Sequence, residues 1–125
     1  MRILLIEDDE DIARLVRDGL AGANHDVTHA ADGASGMQAA LGNRFDVMIF
    51  DRQLPGGIDG ADLLRTLRSA GVQTPVLILS GLGGLNNWMQ GLESGGDDYI
   101  EKPFSFADLL GRVEALHHQR QDSAN

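Results

Sequence analysis

Three short, uninterrupted apolar runs constrain the fold of this chain more than any other feature. They are Ile3-Leu4-Leu5-Ile6, Val47-Met48-Ile49-Phe50 and Val76-Leu77-Ile78-Leu79. Because successive side chains of a strand point to opposite faces, a run without a polar member predicts a strand that is buried on both faces. Segments of helical period separate the runs. The alternation predicts an α/β domain in which helices cover both faces of a doubly wound parallel sheet.

Weaker segments complete five strand-helix units. A weak strand near a sheet edge is predicted at Asp26 to Ala30, and a short last strand at Tyr99-Ile100. Five helices are predicted, over or around residues 12–20, 34–41, 63–67, 85–92 and 109–116. The turn-rich stretch 54–60 predicts a loop.

The length of 125 residues fits one compact domain. We assign this domain to residues 1–117, because the polar stretch 118–125 has no apolar face to bury and is expected to be a tail or the start of a linker.

Composition excludes several classes of function. Ten Lys and Arg against 19 Asp and Glu give 10 − 19 = −9, a charge that repels nucleic acids and anionic membranes. The absence of cysteine excludes disulfides and thiolate chemistry. No apolar run approaches the roughly 20 residues that span a bilayer, and no signal-peptide pattern is present. We therefore expect a cytoplasmic protein that binds neither nucleic acid nor membrane directly.

Polar residues follow four of the predicted strands. Glu7 and Asp8 follow the first, Asp51 the third, Ser80 the fourth and Lys102 the fifth. Ligands of open α/β sheets bind outside the carboxyl ends of the strands, so these side chains are expected to converge on one pocket. Clustered carboxylates without His or Cys favour Mg²⁺. Asp51 is then a candidate nucleophile toward phosphorus, with Ser80 and Lys102 holding the phosphoryl oxygens.

Taken singly, each of these residues has an ordinary structural explanation. The five acids of Glu7–Asp11 suit a solvated helix start, and Asp51 suits a turn or cap. Ser80 before Gly81 suits a loop, and Lys102 an exposed surface. Their coincidence at successive strand ends is what favours a phosphoryl-handling site.

The ordered motifs resemble a known family over nearly the whole chain. They are Ile3-Leu-Leu-Ile-Glu-Asp-Asp-Glu, Asp51-Arg-Gln-Leu-Pro-Gly, Leu79-Ser-Gly, Gly95-Gly-Asp-Asp-Tyr and Lys102-Pro-Phe. Together they resemble the receiver domain of bacterial two-component response regulators. The last two motifs point to the OmpR-type class, whose members carry a C-terminal winged helix that binds DNA. The resemblance implies a flavodoxin-like five-stranded sheet of order 2-1-3-4-5 with five helices.

The resemblance also implies a role for each site residue. Asp51 becomes the phosphoacceptor for a sensor histidine kinase, and Lys102 the cation that binds the phosphoryl group. The Mg²⁺ ligands are Glu7, Asp8, Asp51 and the backbone carbonyl of Gln53. Ser80 and Tyr99 become the switch residues, and the Lys102–Pro103 bond is expected to be cis. Such a domain is a phosphorylation-activated signalling switch rather than a general enzyme, since it catalyses only its own phosphotransfer and dephosphorylation.

Two departures from the family pattern bear on the loop and on dimerisation. The loop 55–60 is one residue longer than usual, which leaves the proposed ligands in place. Members of this class form a symmetric dimer held by charge pairs, for which the candidates here are Asp97, Asp108 and Arg112. Other charges are replaced by Leu82, Asn87 and Trp88, and Trp88 is either a core residue or a contact anchor. We expect at most a weak homodimer on activation.

Three alternative functions remain open on the sequence. A Mg²⁺-dependent phosphatase with an aspartyl nucleophile would use Asp9-Glu10-Asp11, but the residue expected two positions on is replaced by Ala13. A flavodoxin-like electron carrier needs a phosphate-cradling loop after the first strand, where the acidic run would repel phosphate. A non-phosphorylated scaffold of the same fold would not need the intact acids and Lys102.

Overall fold

The computed structural model describes residues 1–81 and 96–124, with side chains up to residue 119. Helices and strands alternate along the chain, as the pattern of apolar runs predicts. In order they are β1 (Arg2–Ile6), α1 (Glu10–Gly22), β2 (Asp26–Ala30), α2 (Gly33–Gly42), β3 (Val47–Asp51), β4 (Gln53–Leu54), β5 (Ile58–Asp59), α3 (Gly60–Ser69), β6 (Val76–Ser80), β7 (Asp98–Glu101) and α4 (Phe106–Ala124).

Five of the strands form one parallel sheet in the order β2-β1-β3-β6-β7. Counted among themselves, these strands have the predicted order 2-1-3-4-5, so the predicted doubly wound fold is confirmed. The strands β4 and β5 form a separate antiparallel pair. A 3₁₀ turn at Pro55–Gly57 joins them.

Each face of the sheet carries its own apolar core layer, which explains the uninterrupted apolar runs. Along β1, Leu4 and Ile6 pack with residues of α2 and α3, whereas Ile3 and Leu5 pack with residues of α1 and α4. All four side chains are fully buried. A polar substitution at any of them would place an unpaired polar group in the core, so the runs have to be apolar throughout.

Aspartate side chains cap three of the helices. Asp9 accepts hydrogen bonds from the backbone N–H groups of Asp11 and Ile12 at the start of α1. Asp32 and Asp59 do the same for α2 and α3. Carboxylates at these positions satisfy N–H groups that have no partner within the helix and interact favourably with its dipole. Part of the acidic run after β1 is therefore a helix start.

The structure differs from the sequence-based expectations in three places. Four helices lie within residues 1–81 and 96–124 instead of five, because the helix predicted around 85–92 falls outside the described residues. The loop predicted at 54–60 contains the short β5 strand and the 3₁₀ turn. The backbone of 118–124 continues α4, although a tail was expected. An established helix propagates through residues of good helix propensity such as Gln119 and Gln121 without an apolar face.

The boundary between a domain of 1–117 and a tail or linker of 118–125 remains a prediction. No helix in the described part of the chain is both long enough and apolar enough to cross a membrane.

Candidate functional site

Strand register brings the predicted site residues to one edge of the sheet. Ile6 pairs with Phe50, so the next residues, Glu7 and Asp51, lie side by side. Asp51 pairs with Leu79 in β6, and the N–H of Lys102 donates to the carbonyl of Ser80 at 2.6 Å. The residues predicted from four strand ends therefore share the carboxyl edge of the sheet.

Glu7, Asp51 and Ser80 are the buried polar residues of the described chain, with exposures of 0%, 4% and 4%. Acidic residues are rarely buried to this extent unless they are paired or bind a ligand. Lys102 supplies the pairing, because its Nζ lies 2.9 Å from Glu7 Oε1 and 3.2 Å from Asp51 Oδ2. One ammonium thus faces two buried carboxylates, and one negative charge remains without compensation when both are ionised.

The excess of buried carboxylates over cations affects the pKa of Glu7. Burial and the hydrogen bond with Asp51 raise the pKa of Glu7 from 4.5 to about 8, and contact with Lys102 offsets only part of the rise. Burial acts to lower the pKa of Lys102, but its ion pairs with Glu7 and Asp51 outweigh burial and raise it. Lys102 is therefore charged at neutral pH, whereas the raised pKa means that Glu7 retains a proton more readily than an ordinary carboxyl group, and a divalent cation would displace that proton.

Three carboxylates of this edge are close enough to share one metal ion. Ligand oxygens of Glu7, Asp8 and Asp51 lie within 4.8 Å of one another, and Asp8 is exposed. An all-oxygen donor set with one solvent-facing side suits Mg²⁺, which keeps several waters when bound. The residues present therefore fit the ion that the sequence predicts. We call Glu7, Asp8, Asp51 and Lys102 the acidic edge.

Gln53, the fourth predicted metal ligand, lies next to Asp51. Its backbone N–H donates to Asp51 Oδ1 at 3.2 Å, and its side chain is exposed. This contact fixes the orientation of the Asp51 carboxylate relative to the segment that carries the Gln53 carbonyl.

Several supporting residues were not identified from the sequence. His29 Nε2 lies 2.7 Å from the carbonyl oxygen of Glu7 and holds the end of β1. The Arg52 guanidinium contacts the Asp59 carboxylate at 3.3 Å. A Cβ at position 60 would collide with the carbonyl oxygen of Asp51, so only glycine fits there. The sequence predicts only a loop over 54–60, and the position of Gly60 beside Asp51 depends on tertiary structure.

The two predicted switch residues lie on neighbouring strands. Ser80 ends β6, and Tyr99, in β7, is 7% exposed and packs in the core layer shared with α2 and α3. Among the described residues the Tyr99 hydroxyl has no hydrogen-bond partner, although it is buried. The Lys102–Pro103 peptide bond is cis, as the resemblance implies.

The charged residues predicted for the dimer face are paired within the chain. Asp97 accepts from Arg68 at 3.1 Å and from the N–H of Val76 at 2.9 Å. Arg112 donates to Asp98 and to Asp108, each at 3.0 Å. We call Asp97, Asp98, Asp108 and Arg112 the β7–α4 surface. Trp88, the fourth predicted contact, lies outside the described residues, as do Leu82 and Asn87.

Comparison with known proteins places the same motifs in one family. A model of the response regulator receiver domain matches residues 3–114. The chain is 44% identical over 116 residues to the probable transcriptional regulatory protein SilR of Salmonella typhimurium, covering 93% of the chain and 50% of SilR. It is 43% identical over 119 residues to the transcriptional regulatory protein HprR of Escherichia coli (strain K12), covering 95% of the chain and 52% of HprR.

A solved structure agrees with this result. The receiver domain of the Francisella response regulator 1452 superposes with a TM-score of 0.90 at 37% identity, covering 95% of this chain and 98% of that one. The chain spans about half the length of the curated relatives it matches.

Proposed function

The chain belongs to the response regulator receiver domain family, and on that premise we propose that its acidic edge accepts a phosphoryl group on Asp51 from a sensor histidine kinase. The observation that carries this proposal is the pairing of two buried carboxylates with a single ammonium, Lys102. Such an edge binds a cation and then an anionic phosphoryl group with a gain in charge balance, which a neutralised cluster would not offer.

The proposed reaction moves one phosphoryl group between two side chains. An Asp51 carboxylate oxygen attacks phosphorus, the phosphorus–nitrogen bond of the kinase phosphohistidine breaks, and its electron pair returns to the imidazole. The Lys102 ammonium, already 3.2 Å from Asp51 Oδ2, is placed to neutralise charge on the transferred oxygens. Hydrolysis of the acyl phosphate by water resets the domain, so the chemistry is limited to its own phosphotransfer and dephosphorylation.

Glu7, Asp8, Asp51 and the Gln53 carbonyl would hold Mg²⁺. When bound, the ion neutralises the repulsion between the carboxylates and the incoming dianion. The deep burial of Glu7 keeps the site partly dry, and the exposed Asp8 leaves it open to solvent on one side.

Ser80 and Tyr99 are proposed to transmit the change. The new phosphoryl oxygens would accept a hydrogen bond from the Ser80 hydroxyl, one strand away from Asp51, and so bias two arrangements of Tyr99. Ser80→Ala should still accept phosphate but should fail to move Tyr99. Amide NMR shifts around Tyr99 that match those of the phosphorylated wild type would contradict this role.

We propose that the controlled output is a transcriptional DNA-binding domain that is not part of these 125 residues. Two observations support this: relatives such as HprR are named transcriptional regulatory proteins, and the chain spans about half their length. A cytoplasmic setting follows from the kinase partner and the output. With a net charge of −9, this chain itself is not expected to bind nucleic acid or membrane.

A weak homodimer of the activated form is proposed through the β7–α4 surface. Its charges are already paired within one chain. Dimer formation would therefore exchange intrachain for interchain contacts and gain little free energy.

Incubation with acetyl phosphate and Mg²⁺, followed by intact-mass spectrometry, tests the proposal. We expect one phosphoryl group per chain, no adduct in Asp51→Asn, and no adduct in excess chelator. Asp62→Asn is the matched control, because Asp62 is an exposed carboxylate in α3. An adduct that persists in Asp51→Asn would refute the assignment. Rapid catalytic release of phosphate without an adduct would favour the phosphatase alternative.

A further inference from the structure

The segment between Asp51 and α3 carries an ion pair that neither the sequence motifs nor the family match assigns. Arg52 Nε lies 3.3 Å from both carboxylate oxygens of Asp59, and Arg52 Nη2 lies 3.3 Å from Oδ2. The Arg52 side chain is only 11% exposed. The Asp59 side chain is 35% exposed, so the pair is partly buried, and its multidentate contact has a better defined geometry than the exposed Arg65–Asp62 pair of α3.

We propose that Arg52 and Asp59 are positioning residues for the metal site, forming a latch that fixes the β4–β5 hairpin. The latch acts through Gln53, so this inference rests on the proposed function of the acidic edge. Neither residue is placed in contact with the metal or the phosphoryl group.

The hairpin needs such a latch because its turn offers little support of its own. Gly56 and Gly57 have φ values of 78° and 74°, and a Cβ added at either would meet no atom within 4 Å. A turn of this kind has high conformational entropy and no side-chain packing. Leu54 anchors β4 in the core, but Ile58 of β5 is one of the exposed large apolar side chains.

The base of the hairpin is where the latch acts. Gln53 pairs with Asp59 in the β4–β5 register, and the N–H of Gly60 donates to the carbonyl of Arg52 at 2.7 Å. Asp59 Oδ1 also accepts from the N–H of Ala61 at the start of α3. The ion pair therefore links Arg52, which follows β3, to Asp59. Asp59 in turn caps α3 and pairs with Gln53, so these three parts of the chain are held together.

Gln53 is the residue through which this unit reaches the acidic edge. Its N–H orients the Asp51 carboxylate, and its carbonyl is a proposed metal ligand. Groups that orient metal ligands without touching the metal contribute to affinity, and their loss commonly weakens binding about 10-fold or more. Loss of the latch should therefore weaken Mg²⁺ binding.

Isothermal titration calorimetry with Mg²⁺ tests the latch in Arg52→Met, Asp59→Asn and the double variant. Asparagine still caps a helix, so Asp59→Asn removes the charge while retaining the cap of α3. We expect each single change to raise the Kd about 10-fold, and the double variant to raise it by clearly less than the product of the two effects, because both changes remove the Arg52–Asp59 interaction. The Gln53 amide resonance should broaden or move in each variant.

Arg65→Met is the matched control, because Arg65 forms an exposed ion pair with Asp62 in the same helix. It should leave the Kd within about 2-fold of the wild type. Lower thermal stability of the Arg52 and Asp59 variants with an unchanged Mg²⁺ Kd would overturn the latch alone. A wild type that binds no Mg²⁺ would instead overturn the proposed function, and the latch with it.

Discussion

The acidic edge and the β7–α4 surface each place two carboxylates around one cation, but the two regions differ in burial. At the acidic edge, Glu7 and Asp51 are buried and share one ammonium. On the β7–α4 surface, Asp98 and Asp108 flank one guanidinium, that of Arg112, at 3.0 Å each, and all three side chains are 31% to 49% exposed. Burial makes the imbalance costly at the first region, and water makes the second nearly neutral in energy.

The comparison shows which charges are available to a ligand. A buried excess charge is stabilised only by a new counterion or a proton, so the acidic edge would gain from binding the proposed Mg²⁺. Exposed charges that already have partners, such as those of the β7–α4 surface, gain little free energy from binding a further counterion. Charge count alone would not separate the two regions, whereas burial does.

Of the substitutions that test this comparison, removal of Lys102 should change the free energy of unfolding the most. Lys102→Met leaves both buried carboxylates without a cation, and we expect the metal-free protein to lose about 3 kcal/mol in its free energy of unfolding near pH 9. Near pH 6 the loss should be smaller, because Glu7 then holds a proton. Urea unfolding at both pH values measures this difference. Equal losses at both pH values would contradict the charge imbalance.

Glu7→Gln should cause the next largest change in the free energy of unfolding, and it should stabilise the metal-free protein at high pH instead of destabilising it. The pKa of Glu7 is about 8 in the folded chain, above its value of 4.5 when unfolded. Its contribution to stability is therefore complete below pH 4.5 and is lost as the pH rises through about 8. The amide does not titrate, so above pH 8 we expect the metal-free variant to be more stable than the wild type, on the order of 2 kcal/mol.

Saturating Mg²⁺ should reverse the order of stability at high pH, because the wild type keeps all of the proposed ligands and should gain more stability from binding than Glu7→Gln does. Thermal unfolding with and without Mg²⁺ measures both signs. If Glu7→Gln destabilises the metal-free protein at high pH, Glu7 is held by its ion pair with Lys102 and the buried excess charge does not exist.

Much of the acidic edge could be predicted from sequence because it depends on topology alone. Once β1, β3, β6 and β7 are parallel neighbours, whatever follows each strand meets at one edge, so Glu7, Asp51 and Lys102 converge. The strands β1, β3 and β6 are identifiable because burial leaves uninterrupted apolar runs, whereas β7 shows only the apolar pair Tyr99-Ile100.

The Arg52–Asp59 latch and the Arg112 pairs could not be predicted in the same way. They depend on where long side chains end, which a periodic pattern does not specify. The strands β4 and β5 are two residues each, too short to show a period of two. The end of α4 was missed because polar residues can continue a helix that has already formed.

Arg112→Ala should cause the smallest change in the free energy of unfolding. It removes two exposed ion pairs, each of which contributes less than about 1 kcal/mol, and the loss should shrink at high salt. By sedimentation we expect a monomer in the unphosphorylated state and at most a weak dimer with beryllofluoride. A tight dimer without activation, disrupted by Arg112→Ala, would show that the β7–α4 surface favours interchain contacts over its intrachain pairs.

An NMR titration of the wild type with Mg²⁺ tests the central claim most directly, because it reports on both regions in one sample. We predict saturable chemical-shift changes at the amides of Glu7 and Asp8 in the acidic edge and of Gln53 next to it. One binding constant should describe all three. Amides of the β7–α4 surface, including Asp98 and Asp108, should stay in place. Equal, unsaturating shifts at both regions would mean that Mg²⁺ only screens an acidic protein, and would contradict the account.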